Sequence, residues 1–136
     1  MKVLAFGDSL VAGYGLGPTE AFVPKLEAAL TAKGIDARVI DAGVSGDTTA
    51  GGRARIDWSL ADDPDVALLE LGGNDGLRGI DPNETFANLD AILTALAAAD
   101  VPTLFAGMLA PPNLGADYER DFNAVFPALA EKHGVA

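Results

Sequence analysis

Apolar and polar positions divide the chain into two alternating kinds of segment. Short continuous apolar runs are typical of strands buried on both faces, and apolar residues three or four positions apart are typical of helices. The runs predict four strands, at 2–6, 37–41, 66–71 and 101–108. The helical spacing predicts four helices, at 23–33, 48–60, 81–99 and 117–132. Strands that alternate with helices predict an α/β fold, in which a parallel sheet has helices on both faces.

The two longest helical segments show which side chains they bury. In the segment 81–99, which opens with Asp81-Pro82, one face carries Phe86, Leu89, Ile92, Leu93 and Leu96. In the last segment the corresponding face carries Phe122, Val125, Phe126 and Leu129. Pro127 lies inside that helix and predicts a kink or a break, because proline removes a backbone donor.

Composition narrows the class of protein. The chain has 136 residues, of which 49% are hydrophobic and 21% charged, which fits one globular domain. The net charge of −11 disfavours nucleic acid and anionic membrane surfaces as partners. With no cysteine and one histidine, neither thiolate catalysis nor a Cys- or His-based metal site is expected. No apolar run approaches the ~20 residues of a membrane span. No signal peptide is visible, which leaves a cytoplasmic or a mature exported form open.

Three predicted strands are followed by loops that carry candidate chemistry. Ser9 follows the first strand in the tetrapeptide Gly7-Asp8-Ser9-Leu10, where a tight turn can hold a nucleophilic hydroxyl. The same tetrapeptide also forms plain turns. Gly46 and Asn74 follow the second and third strands, and could donate hydrogen bonds to an oxyanion or be an ordinary helix-start glycine and turn residue. Because the carboxyl ends of parallel strands meet at one edge of the sheet, we expect the three loops to converge there.

These motifs resemble a known enzyme family. Gly7-Asp8-Ser9-Leu10, Gly46 and Gly72-Gly73-Asn74-Asp75 match the first three sequence blocks of the SGNH, or GDSL, hydrolases. The stretches 45–48 and 69–79 resemble the thioesterase I, lysophospholipase L1 and arylesterase branch. The resemblance implies a three-layer α/β/α sandwich around a five-stranded, flavodoxin-like parallel sheet. It also implies a cofactor-free serine hydrolase of carboxylic esters or thioesters, acting on a small-molecule substrate through an acyl-serine intermediate.

The resemblance assigns roles to individual residues. Ser9 is the expected nucleophile, and its amide, the Gly46 amide and the Asn74 side chain form the expected oxyanion hole. Asp8 and Asp75 are expected to fix the loops by hydrogen bonds rather than to take part in the chemistry.

A fourth segment, 107–115, leaves the last strand at the same edge of the sheet. Its position suggests that Met108, Leu109 and Pro111 line the substrate groove. A rigid structural turn is an equally good interpretation of the paired prolines at 111 and 112.

The family's general base has no counterpart in the sequence. That base is a histidine in an Asp-x-x-His block, whereas the one histidine here, His133, has Ala130 three residues before it. About fifteen helical residues span ~22 Å, so His133 should lie near the opposite edge of the sheet from Ser9. We therefore expect a single SGNH domain, 1–136, that stops before the fifth strand, the Asp/His block and the closing helix.

This expectation has consequences for activity and association. Alone, the chain is expected to be nearly inactive, and to form a dimer or bind a C-terminal fragment that completes the sheet. The alternative function is a catalytically incomplete domain that acts as a binding module.

Overall fold

The centre of the molecule is a sheet of four parallel strands. The computed structural model describes all residues from Met1 to Ala136. The strands lie in the order β2-β1-β3-β4, with bounds β1 Lys2–Gly7, β2 Arg38–Gly43, β3 Val66–Glu70 and β4 Thr103–Phe105. Gly7 pairs in register with Gly43 on one side and with Glu70 on the other. The first three strands therefore end at one level, and their loops emerge side by side.

Six helices and a 3-10 turn connect and cover the strands. They are α1 Ser9–Ala12, α2 Phe22–Ala32, α3 Thr49–Leu60, α4 Gly73–Leu77, α5 Pro82–Ala98, α6 Ala116–His133 and the turn Pro112–Leu114. One face of the sheet packs against α1 and α2, and the other against α3, α5 and α6. The predicted α/β fold, with a parallel sheet and helices on both faces, is confirmed.

The larger core lies between the sheet and the helices α3, α5 and α6, and contains 17 buried residues. The predicted inner faces are confirmed, since Leu89, Ile92, Leu93 and Leu96 of α5 are fully buried and Phe86 is partly buried. In α6 the buried residues are Phe122, Val125, Phe126 and Leu129. Burying each of these large side chains stabilises the fold by about 1.5–3 kcal/mol.

Side-chain caps fix where the longer helices α3 and α5 begin. The Thr48 hydroxyl accepts a hydrogen bond from the Gly51 amide at the start of α3. The Asp81 carboxylate accepts one from the Asn83 amide, with Pro82 in the first turn of α5. Each cap satisfies an amide that has no partner inside the helix.

The structure differs from the sequence-based expectation in four elements. Strand β4 has only three residues instead of spanning 101–108, because β3 ends at Glu70 and offers no partner beyond Ala106. Helix α6 is not broken at Pro127 but continues to His133. Pro127 is exposed, so water can satisfy the carbonyl that loses its partner. The short helices α1 and α4 fall in segments that were expected to be loops.

One face of the sheet is only partly covered. A groove of about 510 Å³, here called the open groove, lies between α2 and the edge of β4. Apolar side chains such as Leu26, Leu68 and Leu104 line it, and Glu70 is its one acidic residue. On the outer side of β4, the Phe105 amide donates to the carbonyl of Ala136 at 2.7 Å. None of the helices combines the length and the apolarity that crossing a membrane requires.

Candidate active site

Ser9 occupies the turn between β1 and α1. Asp8, which is 3% exposed, caps α1 by accepting a hydrogen bond from the Leu10 amide at 3.0 Å. Ser9 is the first residue of that helix, where its amide has no acceptor within the helix. A Cβ at Gly7 would overlap the Glu70 carbonyl and the Val11 side chain, so only glycine fits immediately before the turn. The turn thus holds a half-buried serine at the carboxyl edge of the sheet.

Gly46 lies in the loop after β2, next to the Ser9 turn. Its φ of +79° is a conformation that favours glycine. No hydrogen bond of the protein uses the Gly46 amide, whereas the neighbouring Asp47 amide donates to the Val44 carbonyl at 3.1 Å. The Val44 amide in turn donates to the Gly7 carbonyl at 3.1 Å, which ties this loop to the first one. Gly46 is therefore an amide donor that is available to a ligand.

Asn74 joins the third loop to the second. It lies in the short helix α4, and its Nδ2 donates to the Asp47 carbonyl at 2.8 Å. A carboxamide has two N–H groups, so one remains for a ligand. A Cβ on Gly73 would lie only 3.7 Å from Asp8 Oδ2, which brings the third loop against the first. The loops that carry Ser9, Gly46 and Asn74 therefore converge, as the sequence predicted.

Asp75 stabilises the third loop from inside the fold. It is fully buried, and its carboxylate accepts from the Thr49 amide at 2.8 Å, from the Thr49 hydroxyl and from the Thr85 hydroxyl at 2.8 Å. These bonds connect α4 to α3 and α5. The expectation that Asp8 and Asp75 fix the loops by hydrogen bonds is confirmed.

The segment after β4 contributes three residues in different settings. Met108 is half-buried, and its sulfur lies 3.8 Å from the position a Cβ on Gly73 would take, at the rim of the site. Leu109 is 80% exposed. Pro111 packs on Gly76, with its Cδ 3.5 Å from the position of an added Cβ. Only Met108 of the three lies directly beside the Gly73–Asn74 turn.

Two charged residues near the site were not predicted to have a role. In the sequence, Glu70 is marked only as the charged residue that interrupts the apolar run 66–71. Both of its carboxylate oxygens are buried without a hydrogen-bond donor. Burial, followed by the negative charge of Asp8, raises the pKa of Glu70 to about 8. The other residue is Arg55 of α3, for which no motif in the sequence indicated a role.

His133 lies in another part of the molecule. Its Nε2 is 2.7 Å from an Asp90 carboxylate oxygen, and Lys132 Nζ is 3.0 Å from the same residue. These contacts lower the pKa of Asp90. His133 lines a cavity together with Thr103, the residue at which β4 begins, whereas the Ser9 turn lies where the strands end. The expected position of His133, near the opposite edge of the sheet, is confirmed.

Comparisons with known proteins cover nearly the whole chain. The GDSL-like lipase/acylhydrolase family matches residues 5–136. Esterase TesA of Pseudomonas aeruginosa is 39% identical over 135 residues, which are 98% of this chain and 67% of the relative. The thioesterase 1/protease 1/lysophospholipase L1 of Escherichia coli is 38% identical, with 98% of this chain and 63% of the relative covered.

Solved structures agree with the sequence comparisons. The esterase AlinE4 of the SGNH-hydrolase family superposes with a TM-score of 0.95 at 53% identity, covering 98% of this chain and 72% of that chain. The psychrotrophic esterase EstA from Pseudoalteromonas sp., solved with monoethylphosphonate as inhibitor, has a TM-score of 0.93 at 35% identity, with 98% and 74% covered. The chain thus spans about two thirds to three quarters of the length of these relatives. All of them are hydrolases by name, and none favours a binding module.

Proposed function

Because the chain belongs to the GDSL-like lipase/acylhydrolase family, which is one of ester hydrolases, we propose that Ser9 is the nucleophile of a carboxylic ester or thioester hydrolase. The observation that carries this proposal is the convergence of three groups at one edge of the sheet. They are the Ser9 hydroxyl on its turn, the free Gly46 amide and the Asn74 carboxamide.

The reaction follows from what these groups can donate and accept. Ser9 Oγ attacks the substrate carbonyl and gives its proton to a base, so that a tetrahedral intermediate forms with negative charge on the former carbonyl oxygen. The Ser9 amide, the Gly46 amide and Asn74 Nδ2 donate to that oxyanion. The alcohol or thiol then leaves with the proton. Water repeats the attack on the acyl-serine and releases the carboxylic acid.

The general base is not supplied by the 136 described residues. His133 is bound to Asp90 near the other edge of the sheet. We assign the base to an Asp-x-x-His block outside this stretch, as the family resemblance implies. A serine hydroxyl without a proton acceptor is a weak nucleophile, so the 136-residue chain alone is expected to be nearly inactive.

The proposal includes two kinds of partner, a substrate and a further stretch of protein. The substrate is a small-molecule ester or thioester, and Met108, Leu109 and Pro111 are proposed to line its groove. The open groove and the outer edge of β4 are proposed to be covered by a C-terminal fragment or by a second copy of the chain. The apolar lining of the groove and the half-exposed Leu104 support this assignment, since apolar surfaces of this kind bind other protein.

The function can be tested with a longer protein, here called the extended form. It contains the 136 residues continued after Ala136 by the part of AlinE4 that lies outside the match, where we expect the Asp-x-x-His block. We expect the extended form to hydrolyse p-nitrophenyl acetate and butyrate, and the 136-residue chain to be at least 100-fold slower. Ser9→Ala in the extended form should abolish the activity. An active Ser9→Ala protein would contradict the proposal.

A further inference from the structure

Arg55 is a largely buried basic side chain that contacts the segments of the candidate active site, whereas the exposed Arg78 donates only to the Gly46 carbonyl, at 3.0 Å. Arg55 lies in α3, and its side chain is 21% exposed. Its guanidinium carbon is 4.0 Å from the centre of the buried Phe6 ring. The planar group is therefore packed against an aromatic face, which limits the directions in which its five N–H groups can point.

Each nitrogen of the guanidinium has an acceptor from a segment that carries a site residue. Nη2 donates to the Gly7 carbonyl and Nη1 to the Ala42 carbonyl, both at 2.8 Å. Nε donates to Asp47 Oδ2 at 2.7 Å. Gly7 is two residues before Ser9, and Asp47 directly follows Gly46. One rigid group thus joins the end of β1, the end of β2 and the loop of Gly46.

The third loop is connected to Arg55 through Asp47. The Asp47 carboxylate binds Arg55, while the carbonyl of the same residue accepts the hydrogen bond from Asn74 Nδ2. Movement of Asp47 would therefore move the Asn74 carboxamide relative to the Ser9 turn. Arg55 is thus connected, directly or through Asp47, to the segments of all three groups that the proposed reaction uses.

We infer that Arg55 is a positioning residue, which sets the Ser9 turn, the Gly46 amide and the Asn74 carboxamide at the spacing that the transition state requires. The inference rests on the proposed function. A guanidinium can hold three acceptors in one plane, whereas the ammonium of lysine is a point charge without this geometry. A misplacement of about 1 Å can reduce the rate of an enzyme by about 100-fold.

Gly51 supports this assignment independently. A Cβ at Gly51 would overlap the Asp47 carboxylate. An alanine at residue 51 would therefore displace the Asp47 carboxylate, whereas glycine leaves room for it, although glycine is unfavourable inside a helix. Two residues of α3 thus serve the placement of one loop residue.

The test replaces Arg55 by lysine, which keeps the charge but not the planar group. In the extended form, Arg55→Lys should lower kcat about 100-fold and change KM less than twofold. Gly51→Ala, which displaces only Asp47, should lower kcat about tenfold. The matched control is Arg53→Lys, because Arg53 is exposed on the same helix and its side chain donates a hydrogen bond only to Asn88. Its kcat should stay within twofold.

A second readout uses the 136-residue protein itself. The carboxamide signal of Asn74 in a ¹⁵N spectrum should shift in Arg55→Lys and stay unchanged in Arg53→Lys. The inference is overturned if Arg55→Lys melts like the parent and keeps kcat within threefold. It is also overturned if the loss of kcat is no larger than the fraction of the Arg55→Lys protein that is unfolded. Should Arg55→Lys not fold, an unchanged kcat in Gly51→Ala overturns it. An active Ser9→Ala protein would instead overturn the proposed function.

Discussion

We propose that Asn74 performs two tasks with one carboxamide, because one N–H holds the Asp47 carbonyl and the other is left for the oxyanion. Asn74→Ala in the extended form should lower kcat by about 10²–10³ and leave KM nearly unchanged. That loss corresponds to about 3–4 kcal/mol of transition-state stabilisation, the usual effect of one oxyanion donor. Asn74→Asp should be worse, because a carboxylate would face the developing negative charge. Steady-state kinetics with a p-nitrophenyl ester measures both variants.

The control for this prediction is His133→Ala. His133 is bound to Asp90 and lies away from the Ser9 turn, so its removal should change kcat less than twofold. A loss below fivefold in Asn74→Ala would show that the residue only forms the turn.

Glu70 makes stability depend on pH. Its pKa is raised in the folded protein to about 8, from an ordinary value of 4.5, so the folded state binds the proton more strongly than the unfolded state. The stabilisation by the proton is fully present below pH 4.5 and is lost as the pH rises towards 8. Glu70→Gln should therefore stabilise the protein more at pH 8.5 than at pH 5.5, relative to the parent.

Urea denaturation at the two pH values measures this difference. Glu131→Gln, at an exposed position, controls for the loss of one negative charge. The same difference in unfolding free energy between Glu70→Gln and the parent at both pH values would contradict the assignment.

At the scale of the elements, α3 packs closely on the sheet through Gly52. A Cβ there would overlap the Leu71 side chain and lie 3.2 Å from that of Ile92. Gly52→Ala should destabilise the fold by about 1–3 kcal/mol, because overpacking outweighs the gain in helix propensity of about 1 kcal/mol. The control is Ala54→Gly on the exposed side of α3, which should lose about 1 kcal/mol from propensity alone. Urea denaturation measures both, and a Gly52→Ala protein more stable than the parent would contradict the packing.

The elements also show what could be predicted from sequence. Ser9, Gly46 and Asn74 each follow an apolar run in a short motif, so local pattern and strand order were enough to bring them together. The role of Arg55 depends on a contact with Gly7, 48 residues away, so no local sequence pattern around Arg55 indicates it. The length of β4 depended on where β3 ends. Neither the apolar run 101–108 nor its flanking residues contain that information.

At the scale of the whole molecule, the open groove and the edge of β4 should make the 136-residue chain associate. Sedimentation velocity should show dimers or larger species, and the chain should melt at a lower temperature than the extended form. Leu104, 54% exposed beside the groove, is the residue to change. Leu104→Lys should reduce the association, because a lysine at an exposed strand edge opposes pairing.

Trp58→Lys is the matched control, since Trp58 is 80% exposed on α3, outside the groove. It should leave the association unchanged. A monodisperse 136-residue monomer at high concentration, melting as high as the extended form, would contradict the assignment of this surface.

The central claim is that Ser9 is the nucleophile, and covalent labelling tests it most directly. The extended form is treated with a fluorophosphonate, and the modified residue is located by mass spectrometry of the peptides. The account predicts one phosphonate on Ser9, no label in Ser9→Ala, and unchanged labelling in Ser45→Ala. A phosphonate on Ser45 or Ser59, or equal labelling of Ser9→Ala, would contradict it.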